Sequence, residues 1–516
     1  MTPIIEKESV EEVVHPHVDV PTKKRFLWGM GGFSDILIFQ GVGASVSTIY
    51  TNALGVNAAL VGLACAIPRF LDFFTDPMVG HMSDNTRSRW GRRRPWMFCG
   101  LIISAVLGVL LWRPPSLVSG PVPDNFLDLL LYCVHAPVFW YLALMMTLLY
   151  AVGYASFSIT HVAMGYEMST DYNERTHLFK WRLSACAIAG FVTPFVLPMA
   201  MELEGPRVQQ LKGSQGILTV SIFIGILVLL VGLPSVFFCK EKVTEHRHEE
   251  KVGFLSAVRF TLGNRPFWLL VASNFIMKFL MCLTGIFFFY IFVYQVASGD
   301  QKAGAMFQTI FFVAINFFSL LAMAPVAALT QRIGKKPSLI MMLAMSALAY
   351  GSCWFTLGAF RLSDDPAAFF KMWLPFFGNV HVQWPCLITG MLIGFFANTI
   401  PMIQGSMIAD VCDLDELNSG HRREAFYGAV FVTTDKLAMA ISLAFQGYLL
   451  WRSGFNSSLE QQTPETISYW LKALIITQPV GCLIGLISIL MYPLTRKRCQ
   501  QIRDELNARK KAKLPA

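Results

Sequence analysis

Charge is what this sequence has least of. Lys, Arg, Asp and Glu make up 15% of its 516 residues, against about a quarter in a water-soluble domain. With 54% hydrophobic residues, 42 Phe and 24 Met, and a mean hydropathy of +0.50, a soluble multidomain fold is excluded. Paired cysteines are also lacking. The 11 cysteines, Cys65, Cys99, Cys186, Cys282 and Cys482 among them, stand singly, mostly in apolar stretches, which excludes a cysteine metal site and a disulfide framework. No nucleophile–base or metal constellation of an enzyme is found, and no cofactor is expected. The opening MTPIIEKESVEEVVHPHVDVPTKKR has no apolar core, so it reads as a cytoplasmic tail and not as a signal peptide. The net charge of +9 does not point to nucleic acid, because the bases cluster where membrane topology puts them.

What is present is a series of long apolar runs. A helix crossing hydrocarbon needs about 20 such residues, and the runs predict twelve spans near 27–50, 57–83, 95–113, 137–165, 179–202, 214–239, 266–296, 304–330, 337–360, 386–409, 425–452 and 468–494. Their length, and the lack of alternation, argue against strands. The 2–3 loop holds Arg87, Arg89, Arg92, Arg93 and Arg94, the 8–9 loop reads QRIGKKP, and the tail reads RKRCQQIRDELNARKKAK. Positive residues mark the cytoplasmic side, so both termini are expected there, in the cell (inner) membrane. Two longer external loops near 114–136 and 361–385, rich in Pro and aromatics, are expected on the membrane surface.

The chain repeats weakly. SDNTRSRWGRRRP follows the second span and LTQRIGKKP the eighth, while the 4–5 and 10–11 loops are both acid-rich, then basic. This gives a tail (1–26), a six-helix half (27–239), a central polar loop (240–265), a second six-helix half (266–494) and a basic tail (495–516). Two related halves with a site between them near the midplane are the pattern of secondary transporters.

The charges inside the spans point to the site. Asp72 and Asp76 lie one turn apart in RFLDFFTDP, with Arg69 extending the stripe. Carboxylates about 6 Å apart on a helix repel when both are ionised, and a bound Na⁺ or a shared proton relieves this, with Arg69 as fixed counter-charge; a salt bridge that only locks helices is the plainer alternative. Lys436, eleven residues or so into the eleventh span beside Asp435, is expected to neutralise that pair without a cation, or to meet substrate. Lys278 in the seventh span suits an anionic group such as a uronate, or a pairing with Asp35 at comparable depth in the first. His161 in the fourth span is a proton relay or a packing residue. The arginine burst anchors the loop, and Asp84 and Arg87 suggest an ion-paired gate.

At these residues the sequence resembles the glycoside–pentoside–hexuronide:cation symporters of the major facilitator superfamily, the group that contains the melibiose permeases. The resemblance rests on RFLDFFTDPMVGHMSDNTRSRWG, supported by YEMSTDYNERTHLFKWR and IADVCDLDELNSGHRREAFYG. It implies an all-α integral membrane protein of the major facilitator fold, with twelve transmembrane helices in two six-helix halves. It places Asp72, Asp76 and Thr75 at the cation site, with Ser158 where the melibiose permeases have a further carboxylate, a departure that favours H⁺ over Na⁺. It places Asp35 and Arg182 near substrate and matches Lys436 to the family's lysine of the eleventh span; Lys436, Lys278 and His161 are expected at the substrate from their own place in the spans. Arg69, Asp84, Arg87, Arg175, Asp410 and Asp413 are the expected gating ion pairs. The implied function is symport of a sugar, glycoside or hexuronide with Na⁺ or H⁺ by alternating access. A lysolipid-type transporter and a receptor that kept the fold are the alternatives. Expected partners are that small molecule, the coupling cation and the lipid bilayer.

Overall fold

The computed structural model describes residues 20–114, 126–169, 172–204, 215–239, 263–358, 368–420, 424–457 and 459–512. The central stretch 240–262 lies outside them. The apolar runs are helical because in hydrocarbon every backbone N–H and C=O needs a partner within its own segment. They form α1 (Thr22–Ala53), α2 (Ala58–Asn85), α3 (Arg94–Leu110), α4 (Pro137–Met168), α5 (His177–Leu203) and α6 (Gln215–Phe238), then α7 (Arg265–Val296), α8 (Gln301–Ile333), α9 (Lys335–Gly358), α10 (Trp384–Ser419), α11 (Tyr427–Arg452) and α12 (Pro464–Leu490). All but α3 are long and apolar enough to span a membrane by themselves; α3 has 17 residues. A last amphipathic helix, α13 (Arg496–Ala512), packs back against α10.

Packing repeats between the halves. The pairs α1–α5, α1–α6, α3–α6 and α2–α4 recur as α7–α11, α7–α12, α9–α12 and α8–α10. The halves meet along two seams, α2 with α11 and α5 with α8. The start of α1 and the end of α12 share what is called here the near face; the far face is opposite.

Small residues let the backbones approach, as helix association in lipid requires. A Cβ on Gly62 would lie 2.6 Å from the Leu443 carbonyl oxygen, and one on Gly447 would lie 2.3 Å from that of Ala58. This α2–α11 contact lies toward the far face. Within the first half, Gly29 and Gly32 of α1 seat the α5 backbone at Trp181 and Arg182, which brings Arg182 to Asp35. The other seam is tied by Thr309, donating to the Pro194 carbonyl at 2.8 Å, by Asn316, donating to that of Gly190 at 3.1 Å, and by an ion pair of Lys302 with Glu202.

π-helical turns interrupt α1 at Leu37–Val42 and α4 at Leu148–Tyr154. Such turns re-aim side chains and cluster at functional sites. The expectation of no strands fails at one place. Within the external loop expected near 361–385, β1 (Phe369–Leu374) and β2 (Gly378–Gln383) form an antiparallel hairpin. Its turn holds Phe376 at φ 73°, a conformation that bulky residues rarely adopt. The neighbouring Phe377 stacks on Phe195 of α5 at 5.9 Å, so this loop of the second half rests on the first.

Candidate functional site

The polar interior is built from α2 outward. Arg69 and Asp72 are buried, 6% and 3% exposed, and pair at 3.3 Å. The Arg69 guanidinium lies 3.8 Å from the Tyr150 ring centroid and 4.6 Å from that of Phe39, a cation–π seat made by α4 and α1. Asp76, half-buried one turn further, is in contact with Lys436 of α11. Each carboxylate therefore has its own cation: Asp72 one from its own helix, Asp76 one from the other half. Pro68 and Pro77 flank this stretch inside α2. Pro77 has no N–H to offer the Phe73 carbonyl, which leaves a backbone oxygen beside the two acids. The Thr75 hydroxyl is buried without a hydrogen-bond partner.

A second cluster lies in the first half alone. Asp35, 3% exposed, forms an ion pair with Arg182, and the hydroxyls of Tyr154 and Ser158 lie beside it. Ser158 thus belongs with Asp35, and not with the cation group where the sequence put it; one face of α4 carries Tyr154 and Ser158 together, four residues apart. The alternative of a Lys278–Asp35 pair is overturned, since Asp35 takes its cation, Arg182, from its own half. Lys278 has no carboxylate within ion-pair distance among the described residues. Near it, Asn274 donates to Asp435 at 3.3 Å, and both Lys278 and Asp435 lie in the neighbourhood of Cys282.

His161 is a correction. It is 0% exposed, stacked between Trp28 at 4.8 Å and Phe157 at 5.3 Å, and its Nε2 donates to the Trp28 carbonyl at 2.9 Å. A ring enclosed in this way contacts neither cavity nor substrate. Trp28 and Phe157 are fully buried by the same stack, so neither is available to a sugar ring.

The central cavity, about 430 Å³, lies elsewhere between the halves. Its polar groups are Gln40 from α1, Thr193 from α5, Asn316 from α8, Asn398 from α10 and Gln478 from α12; Phe288, Phe312 and Tyr350 supply aromatic wall. That volume is within the range of small-molecule sites, and a mostly apolar wall with a few placed polar groups is their usual composition. Amides both donate and accept, which suits hydroxyl-rich ligands. Sequence reasoning missed all five polar groups; the available signal was an uncharged polar residue inside an apolar run, as in FFVAINFFSL and LIITQPVG.

The near-face charges form two matching clamps. Gly91 and Gly334 both have positive φ, 107° and 96°. After the first, Arg93 pairs with Glu167 of α4 at 2.6 Å and with Asp84 at 2.9 Å, and Arg94 donates to the Cys239 carbonyl at 2.7 Å. After the second, Lys335 pairs with Asp410 of α10 at 2.7 Å, and Lys336 donates to the carbonyls of Leu490 at 3.0 Å and Tyr492 at 2.6 Å. The weak repeat GRRRP and GKKP thus has a physical content: one cation holds an acid on the near-face part of the fourth helix of the half, and the next caps the carbonyl end of the sixth. Asp410 and Asp413 also take Arg503 of α13, at 3.0 and 3.5 Å. Every one of these pairs lies within one half. Arg87 is exposed, and the Arg175 side chain lies outside the described residues.

Twelve helices in two related halves around a central cavity, with charges submerged between them, define a secondary transporter of the major facilitator fold. The chain belongs to the MFS/sugar transport protein family, whose profile matches residues 27–496; within the superfamily this is the glycoside–pentoside–hexuronide:cation symporter group, and the chain is accordingly a cation-coupled sugar transporter and not an enzyme. It is 27% identical to an uncharacterized symporter of Synechocystis, over 94% of this chain and 96% of that one. It is 20% identical to the isoprimeverose transporter of Lactiplantibacillus pentosus (95% and 92% covered) and 23% identical to a glucuronide carrier protein homolog of Escherichia coli (94% and 95%). Among solved structures, its fold is similar to an inward-facing bacterial homolog of the human lysosomal transporter Spinster, with a TM-score of 0.59 at 15% identity (94% and 97% covered). It is also similar to a D-xylose–proton symporter, with a TM-score of 0.53 at 15% identity (91% and 96%).

Proposed function

We propose that the chain moves a sugar or glycoside through the central cavity together with Na⁺ or H⁺ taken up at Asp72 and Asp76. The observation that carries this reading is the contact of Asp76 with Lys436 across the α2–α11 seam. A cation arriving at Asp76, whether a proton or Na⁺ coordinated with the Thr75 hydroxyl and Phe73 carbonyl, displaces Lys436 and unfastens one half from the other. Hard oxygen donors suit Na⁺, and a proton achieves the same discharge.

Sugar then bridges the halves, because Gln40 and Thr193 come from the first, and Asn316, Asn398 and Gln478 from the second. Each ligand favours the conformation the other needs, so each raises the affinity for the other by the same factor. Asp35 and Arg182, paired in the first half, do not line this cavity. The clustering of basic residues at the near face argues that this face, with both termini, is cytoplasmic, and that the membrane is the cell (inner) membrane.

The test is uptake of labelled glycosides into vesicles holding the purified protein, with and without a Na⁺ or pH gradient. Accumulation under one gradient, lost when it is collapsed, is the expected result. Flux of lysolipid with none of glycoside would replace the sugar by an amphiphile, and no flux at all would refute transport.

A further inference from the structure

A second cavity, about 460 Å³, opens at the near face of the second half, away from the central cavity. Its walls are the α8–α9 turn, α10, the end of α12 and one face of α13. Lys335, Lys336, Arg496 and Arg503 line it against a single carboxylate, Asp410. Lys335 and Arg503 share that carboxylate, and Arg503 also reaches Asp413 outside the cavity. Lys336 and Arg496 are held only on backbone carbonyls, those of Leu490 and Tyr492 for the first and of Arg332 for the second. Neither has an acid partner among the described residues.

A separate observation concerns Tyr492, which also lines this cavity. It is 1% exposed, and its hydroxyl has no hydrogen-bond partner. A buried hydroxyl left unpaired costs about 1–3 kcal/mol, so such groups usually mark a missing acceptor. The hydroxyl lies in the neighbourhood of Asp410 and Cys499, both cavity residues. Excess positive charge around an orphan donor asks for an anion with several acceptor oxygens.

We propose that this cavity binds a phosphate group, carried by an anionic lipid headgroup or by a soluble phosphate. Arg496 and Arg503 project from one face of α13, seven residues apart, while Lys335 and Lys336 open the first turn of α9. A phosphate between them fastens α13 to the membrane end of the second half. Basic pockets between helices at this depth have the chemistry that headgroups require. The site does not depend on which sugar or cation is transported.

The experiment uses the purified full chain and reads its melting temperature with two probes. One is inorganic phosphate in detergent, with chloride at equal ionic strength as reference. The other is phosphatidylglycerol added to phosphatidylcholine nanodiscs. Arg496→Gln removes an exposed side chain, and Gln500→Glu places a negative charge at the exposed rim of the cavity. At least one probe should stabilise the wild type, with an apparent affinity about tenfold weaker in Arg496→Gln, as the loss of one charge-assisted hydrogen bond gives, and weaker also in Gln500→Glu, whose carboxylate repels the anion. Response to phosphate alone assigns the site to a soluble phosphate, and response to phosphatidylglycerol alone assigns it to a headgroup; both uphold the proposal. Equal responses in wild type and both variants, or none to either probe, overturn it.

Discussion

Among single residues, Asp76 and Asp72 differ although they share a helix face. Asp72 is tied to Arg69 within α2, whereas Asp76 is held from the other half by Lys436. Asp76→Asn should therefore abolish gradient-driven accumulation while leaving sugar exchange, measured with labelled sugar on both sides of the membrane. Accumulation at the wild-type level would show that coupling lies elsewhere. Asn398→Ala and Gln478→Ala each remove an amide from the central cavity. Each should weaken apparent sugar affinity by about tenfold, the worth of a net hydrogen bond or slightly more, without changing the cation dependence. Asp72, Asp76 and Lys436 were legible in the sequence because a charge in an apolar run is conspicuous. Gln40, Asn316, Asn398 and Gln478 were not, since an uncharged amide is tolerated anywhere in a span that offers it one carbonyl, and only tertiary packing selects those facing the cavity. His161 misled for the converse reason: its titratable ring is conspicuous in sequence, but the stack with Trp28 and Phe157 that silences it comes from two different helices.

For helices and loops, the two clamps explain why the repeat survived as little more than a glycine, a run of cations and a proline. Their ligands are backbone carbonyls and one acid, which leave most of the neighbouring sequence unconstrained. Gly334 needs its left-handed φ to start α9 with Lys335 and Lys336 aimed correctly. Gly334→Ala should cost about 1 kcal/mol or somewhat more, read as a lower melting temperature in detergent; an unchanged value would mean the turn relaxes freely. The twelve helices were readable from hydropathy because hydrocarbon permits so few alternatives. The hairpin Phe369–Gln383 was not, because FFKMWL is short and as aromatic as any loop resting on a membrane, and its pairing is set by contacts with α8 and Phe195.

Across the whole molecule, the seam contacts of α5 with α8 and the crossing of Gly62 with Gly447 hold the far face, and Asp76–Lys436 fastens the middle. Lys302→Glu should loosen the far face by breaking the pair with Glu202. Labelling of an Asn52→Cys thiol, at the far end of α1 beside Tyr290 of α7, by an impermeant maleimide is expected to rise by up to about fivefold, what one partly exposed ion pair is worth. Adding Glu202→Lys should reverse the gain. A double variant that labels as fast as the single one would exclude the pair as a far-face fastener.

The crossing of α2 and α11 works as a bearing. With a glycine on each side, two backbones touch with no side chain to mesh, so one half can roll over the other without ratcheting past a methyl group. A single alanine at position 62 or 447 is then a grain of sand in the joint: it leaves each half folded and its ligand groups intact, and slows the turnover of both.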